Sequence, residues 1–150
     1  MIALTLSIGL GLIFTLIFVP LLGLYPGGMI APGYLALQLN QPKIFLATLA
    51  IAILIHYIVV MLSNFCIIYG QRKIALSLIL SYLLCSLIQH LINPYLANNL
   101  FGDIYIGYII PGLIALSISR QGLIETIGSL LILSVFVRLI LIILLGNTIL

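Results

Sequence analysis

Side chains able to do chemistry are scarce in this chain, and most of them are hydrogen-bond donors suited to an anion. Five residues are Lys or Arg and two are Asp or Glu, out of 150. Arg138 stands inside the apolar run SVFVRLILIILL. An arginine at bilayer depth is costly and marks a functional position by default, unless its long stem carries the charge to the interface. Both readings stand for Arg138. Glu125 opens the last apolar segment, where a carboxylate complements the helix dipole. Thirteen residues separate it from Arg138, roughly 20 Å along a helix, too far for an ion pair. His56 and His90 could carry protons, although a packed, hydrogen-bonded histidine is the plainer reading. Cys66 and Cys85 lie in apolar runs and read as small hydrophobes, with no disulfide framework and no CxxC. Phosphate-cradling G-x-x-x-x-G-K-[ST], H-E-x-x-H and nucleophile-elbow motifs are absent. Two distant acids cannot supply a metal-binding carboxylate pair. A self-contained nucleotide-using enzyme is not expected, nor a cofactor, metal or nucleic-acid partner for this chain.

A second source of positive charge is the backbone. The stretch GGMIAPGYLALQLNQP ends at Pro42, and GYIIPGLIALSISRQG, starting at Gly107, repeats its phrasing. Shifted by 79 positions, Gly28, Ile30, Pro32, Gly33, Ala36 and Leu37 meet Gly107, Ile109, Pro111, Gly112, Ala115 and Leu116; a further one-residue slip brings Gln41 onto Gln121. A residue before proline is pushed out of the α region, whereas proline itself suits a first helical turn. The spacing therefore predicts a break before each Pro, with short helices starting at Pro32 and Pro111. Paired half-helices of this kind aim N-terminal dipoles at anionic substrates in transporters. One reading is an interior site for carboxylates at Pro32, Gly33, Pro111 and Gly112. The other is two kinked helices packed through small residues with no ligand.

The elements that must carry these residues belong to a membrane. The chain is 65% hydrophobic and 5% charged, with a mean hydropathy of +1.46, against about 25% charged residues in soluble domains. Backbone groups in lipid must be satisfied internally. Long continuous apolar runs select helices over a barrel. Six hydrophobic segments are read at 2–22, 28–41, 44–68, 74–92, 104–119 and 122–146. The fold class is an all-α integral membrane protein. It forms one transmembrane domain over 1–150, built as two repeats of three segments (about 1–69 and 74–146), with short, Pro-Gly-broken second and fifth segments. The first segment lacks a basic leader and a small-residue cleavage site, so it reads as a retained span. If all six segments cross, the halves are inverted. Arg72, Lys73 and Arg120 then share one face, with Lys43 and Asp103 on the other. The positive-inside rule then favours six crossings, both termini outside and Arg72-Lys73 in the cytoplasm. Re-entrant short segments would leave no such bias. Tyr25, Tyr34, Tyr69, Tyr95, Tyr105 and Tyr108 fall near the breaks, as an interfacial aromatic belt would.

PGYLALQLNQP at 32–42, YGQRKIALSLI at 69–79 and IIPGLIALSISRQGLIETIGSLLILS at 109–134 occur in one order and spacing. In these the chain resembles the small membrane subunit of bacterial poly-γ-glutamate synthesis, the CapC/PgsC family, from about Gly23 to Ser134. Gln71 departs from that pattern, which tends to a second arginine there, while Arg72 and Lys73 keep the cluster basic. The resemblance implies a multi-pass protein of the bacterial cytoplasmic membrane and a non-catalytic subunit of a synthase complex. Its partners would be an ATP-dependent amide ligase, which would hold ATP and Mg, and a further capsule or export subunit. The product would be poly-γ-glutamate, as capsule or released polymer, and several copies of this chain could assemble. On this expectation Arg72 and Lys73 dock the ligase or receive the polymer. Pro32-Gly33 and Pro111-Gly112 shape the path, with Gln41, Arg120, Gln121 and Arg138 as donors. A passive anchor for the ligase and a stand-alone carrier of a small carboxylate remain the alternatives.

Overall fold

A computed structural model describes residues 2–65, 70–91 and 105–146, with side chains described over the same ranges except at 2–4, 64, 65, 89, 91, 105, 106 and 145. Asp103, Cys66, Tyr69, Tyr95 and the polar connector 93–103 lie outside the described residues. The order is α1 (Ile2–Leu22), α2 (Ala31–Gln38), α3 (Pro42–Phe65), α4 (Gln71–Leu91), a 3₁₀ turn (Tyr105–Tyr108), α5 (Ile110–Gln121) and α6 (Leu123–Leu145). No strand occurs among the described residues. Among the described residues, four helices are long and apolar enough to cross a membrane, through Thr5–Leu22, Pro42–Ser63, Gln71–Ile88 and Leu123–Leu144. The other two have 8 and 12 residues, about 12 and 18 Å at 1.5 Å per residue, and are short of a 30 Å hydrocarbon core.

Both short helices begin at the Pro-Gly phrase, one residue earlier than expected. Ala31 and Ile110 are the first helical residues, and each Pro comes second. The break survives this shift, because N–H groups of a first turn have no intrahelical partner and the proline forfeits nothing there. Upstream of α2 the chain doubles back through Gly27 and Gly28, at φ +69° and +91°. A side chain is doubly excluded at Gly27, where a Cβ would come within 2.8 Å of Leu130 Cδ1 and 3.0 Å of Ile114 Cγ1. This return brings α2 back beside the helix that preceded it.

Neighbour contacts give each helix its direction. Phe14 meets the Phe136 ring edge-on at 5.3 Å, and Phe18 and Leu21 line a groove with Ile132 and Leu133, so α1 and α6 run antiparallel. Gly27 lies beside Leu130, Ala36 beside Val137, and Asn40 bonds Arg138, so α2 runs with α6. In the other half, Phe45, Leu49 and Ala52 pack on Ile110, Ile114 and Ile118, and His56 meets Ser119, so α3 runs with α5. Each contact type occurs twice. Helix α1 packs on α2 as α4 packs on α5; α2 meets α6 as α5 meets α3; α1 meets α6 as α4 meets α3.

Helices in lipid gain nothing from the hydrophobic effect on meeting, so close backbone approach between small residues must supply the attraction. Helix α1 presents buried Ser7, Gly11 and Thr15, and α4 presents buried Ser77, Ser81 and Cys85, at the same fourth-residue spacing. Gly33 seats on the first stripe, where an added Cβ would lie 2.6 Å from the Ser7 carbonyl oxygen and 3.0 Å from Ile8 Cα. Gly112 seats on the second, where it would lie 2.9 Å from both Ser77 O and Ser81 Cβ. Gly33→Ala and Gly112→Ala are each expected to destabilise the protein by about 1–3 kcal/mol, the usual cost of overpacking. Gly128→Ala, which meets nothing within 4 Å, should be neutral. Thermal unfolding followed by size-exclusion chromatography in detergent checks this, and equal losses at all three positions would contradict it.

Candidate functional site

The two Pro-Gly corners are buried and lie near one another. Ala31, Leu35, Ile110, Ile114 and Leu130 share one apolar cluster with Phe45 and Leu49. Neither corner faces lipid, and neither helix runs through its break. Pro32, Gly33, Pro111 and Gly112 are all buried. The helix N-termini are thus enclosed by hydrocarbon side chains, and their local polar partners are hydroxyls of the long helices. Ser81 Oγ donates to the Tyr108 carbonyl and accepts from Gly112 N–H at 3.1 Å. Ser7 Oγ donates to the Gly33 carbonyl. Ser81 therefore satisfies backbone that the break before Pro111 leaves open, as membrane depth requires, while Ser7 gives the Gly33 carbonyl, already an intrahelical acceptor, a second donor.

Gln121 has a specific task. Its Nε2 donates to the Tyr25 carbonyl at 2.7 Å, and its Oε1 accepts from Tyr25 N–H at 2.7 Å. The same Nε2 reaches Thr126 Oγ1 at 3.1 Å. A side-chain amide so paired copies a strand neighbour, and it ties the α1–α2 connector to the α5–α6 turn at Gly122. Arg120, next to it, is exposed, as are Gln41, Lys43, Arg72 and Glu125; Lys73 is half-buried. The helix directions put Arg72, Lys73, Arg120 and Glu125 at one end of the bundle and Gln41 and Lys43 at the other.

Arg138 is half-buried and reaches α2. Its guanidinium donates to the Ala36 carbonyl at 3.1 Å and to Asn40 Oδ1. Snorkelling and interior engagement thus meet in one conformation, with the charge carried toward the helix end and spent on carbonyl-type oxygens. His56 Nδ1 lies 3.0 Å from Ser119 Oγ, the packed, hydrogen-bonded arrangement rather than a free relay. His90 is exposed. No group of His, Cys, Asp and Glu among the described residues could hold a metal ion. The residues singled out in the sequence therefore fall in three places: the buried Pro-Gly pair, the Gln121 tie at the exposed basic end with Arg72, Lys73 and Arg120, and the Arg138 grip toward the opposite end beside Gln41. Ser7, Ser81, Asn40 and Ser119 escaped sequence reasoning. For the first two a signal existed in the small residues spaced four apart; for Asn40 and Ser119 the only signal was their matching place in the two repeats. Gln38 Oε1 is buried and has no hydrogen-bond partner among the described residues.

Residues 10–127 match the family model described as "Capsule biosynthesis CapC". The chain belongs to the CapC family. It is 44% identical over 126 residues to "Capsule biosynthesis protein CapC" of Bacillus anthracis, covering 83% of this chain and 84% of the relative. It is 43% identical over 128 residues to "PGA biosynthesis protein CapC" of Bacillus subtilis (strain 168), again covering 83% and 84%. No solved structure matches the chain. The matched CapC region includes both Pro-Gly corners, the Gln121 tie and the Arg72-Lys73 cluster, while Arg138 falls beyond it.

Ser81→Ala removes an acceptor from Gly112 N–H and a donor from Tyr108 O at once. The expected loss is about 1–3 kcal/mol for the unsatisfied buried groups, visible as a lowered unfolding temperature in detergent. Ser86→Ala, on the exposed face of the same helix, serves as the neutral comparison.

Proposed function

We propose that this CapC-family chain is the membrane subunit of a poly-γ-glutamate synthase complex in the bacterial cytoplasmic membrane. It supports an ATP-dependent ligase subunit and helps pass the anionic polymer outward, alongside a further capsule or export subunit. The observation that carries this reading is the similarity over most of the chain to two relatives named for capsule and PGA biosynthesis. The twofold recurrence of helix contacts supports a bundle of inverted repeats, with three passes in each half. In that topology Arg72, Lys73 and Arg120 face the cytoplasm, by the positive-inside rule, and both termini face outward.

On this reading the division of labour is physical. This chain holds no nucleotide motif and no acid pair, so bond formation belongs to the ligase, with ATP and Mg bound there. Arg72 and Lys73 dock the ligase or receive the growing chain at the cytoplasmic end. Arg120 adds to that basic end, and Gln121 keeps it in register. Pro32-Gly33 and Pro111-Gly112 set the two short helices between which the polymer passes, and Gln41 and Arg138 are the outward donors. The described helices of one chain enclose little space, so a homo-oligomer is the natural unit for polymer passage.

Purified ligase assayed with and without this chain in liposomes is the direct test, and a longer or more abundant polymer is expected when it is present. An unchanged yield and length would leave only the anchor role. Arg72→Ala combined with Lys73→Ala should weaken ligase co-purification at least several-fold, whereas Arg138→Ala should spare co-purification and reduce polymer outside the cell. Transport of a small carboxylate by this chain alone in liposomes would favour the carrier role instead.

A further inference from the structure

Two polar grips occur at equivalent places in the two halves. On α6, Arg138 holds the Ala36 carbonyl and Asn40 at the end of α2. On α3, His56 meets Ser119 Oγ through Nδ1, and that hydroxyl in turn donates to the Ala115 carbonyl, in the later half of α5. The offset that superimposes the Pro-Gly corners also carries Ala36 onto Ala115 and Asn40 onto Ser119. A separate single offset carries the buried positions of α3 onto those of α6: Ile44 onto Thr126, Ile51 onto Leu133, Ile55 onto Val137 and Val59 onto Leu141. That offset carries His56 onto Arg138. The residue types differ, so the correspondence lies in position and bonding.

Chemistry makes each grip directional. The last carbonyls of a helix lack intrahelical partners and carry partial negative charge, and Ala36 is among the last four residues of α2. Ser119 Oγ donates its proton to the Ala115 carbonyl at 3.1 Å, so the imidazole Nδ1 is the donor to Oγ. In both halves, then, a donor on the long third helix holds the C-terminal part of the other half's short helix. Helices α2 and α5 point to opposite ends of the bundle, so the grips do too.

We infer that His56 and Arg138 are paired latches, each closing one end of the interface between the halves, so that releasing one admits water from one membrane face only. The inference rests on the inverted topology proposed above. Its test uses reporters at equivalent short-helix positions, Ser117→Cys and Gln38→Cys, in a Cys66→Ser, Cys85→Ser background. A membrane-impermeant thiol reagent is applied to right-side-out and to inverted vesicles. Arg72→Cys and Lys43→Cys, labelled from opposite faces, verify the topology separately.

The parent is expected to label slowly at both reporters. His56→Ala should speed Ser117→Cys on the order of tenfold, the scale of one lost buried hydrogen bond, from the Arg72 face alone. Arg138→Ala should do the same for Gln38→Cys from the opposite face. His56→Gln and Arg138→Lys, which keep a donor, should stay near the parent rate. Any variant that fails to elute as folded protein is replaced by Ser119→Ala or Asn40→Ala, which cut the same grip from the other side. Labelling that rises equally at both reporters, or not at all in folded variants, overturns the latches while the topology controls hold. Labelling of Arg72→Cys and Lys43→Cys from one common face overturns the topology instead.

Discussion

Backbone amides and carbonyls at membrane depth must find partners within the protein, and this requirement governs the rest of the molecule. A continuous helix meets it alone, but this chain interrupts its helices twice in the interior. In the second half the freed groups are met by Ser81, between Tyr108 and Gly112, and in the first Ser7 fastens the Gly33 carbonyl to α1. Where the connector turns back at Tyr25, the amide of Gln121 supplies both a donor and an acceptor. Each partner is small or neutral, so the break is stabilised without placing an uncompensated charge in the core.

That economy explains the placement of the glycines. A hydroxyl on a long helix reaches the broken backbone only if the two helices nearly touch, and Gly33 and Gly112 permit such contact. Close approach and a hydroxyl-to-backbone bond are therefore one device, used once in each half. The same economy applies at the far ends of the short helices, where Arg138 and His56 take up carbonyl and hydroxyl oxygens. Arginine is tolerated because its stem follows the bundle and its charge meets the negative end of α2.

Function in the CapC family must work within these limits. The helix N-termini that make an attractive anion site on paper are packed among Ala31, Leu35, Ile110 and Ile114. On the function proposed above, acidic cargo passing between the halves would require the short helices to part. The hydrogen bonds that stitch the bundle are each worth roughly 1 kcal/mol net, and the aliphatic cluster between the short helices is the larger part of what parting must undo.

How much was legible beforehand divides along a physical line. Hydropathy and segment length determined an all-helical membrane protein, because lipid admits few alternatives. The duplicated phrase around Pro32 and Pro111 located both breaks to within one residue, because proline acts on its immediate neighbours. The basic residues Arg72, Lys73 and Arg120 could be grouped by counting crossings. Tertiary structure alone decided that the broken ends meet in an apolar cluster, that Gln121 binds Tyr25, and that Arg138 and His56 hold the short helix of the opposite half. Those pairings join residues some 60 to 100 positions apart, and local pattern carries no record of which helix will lie alongside which.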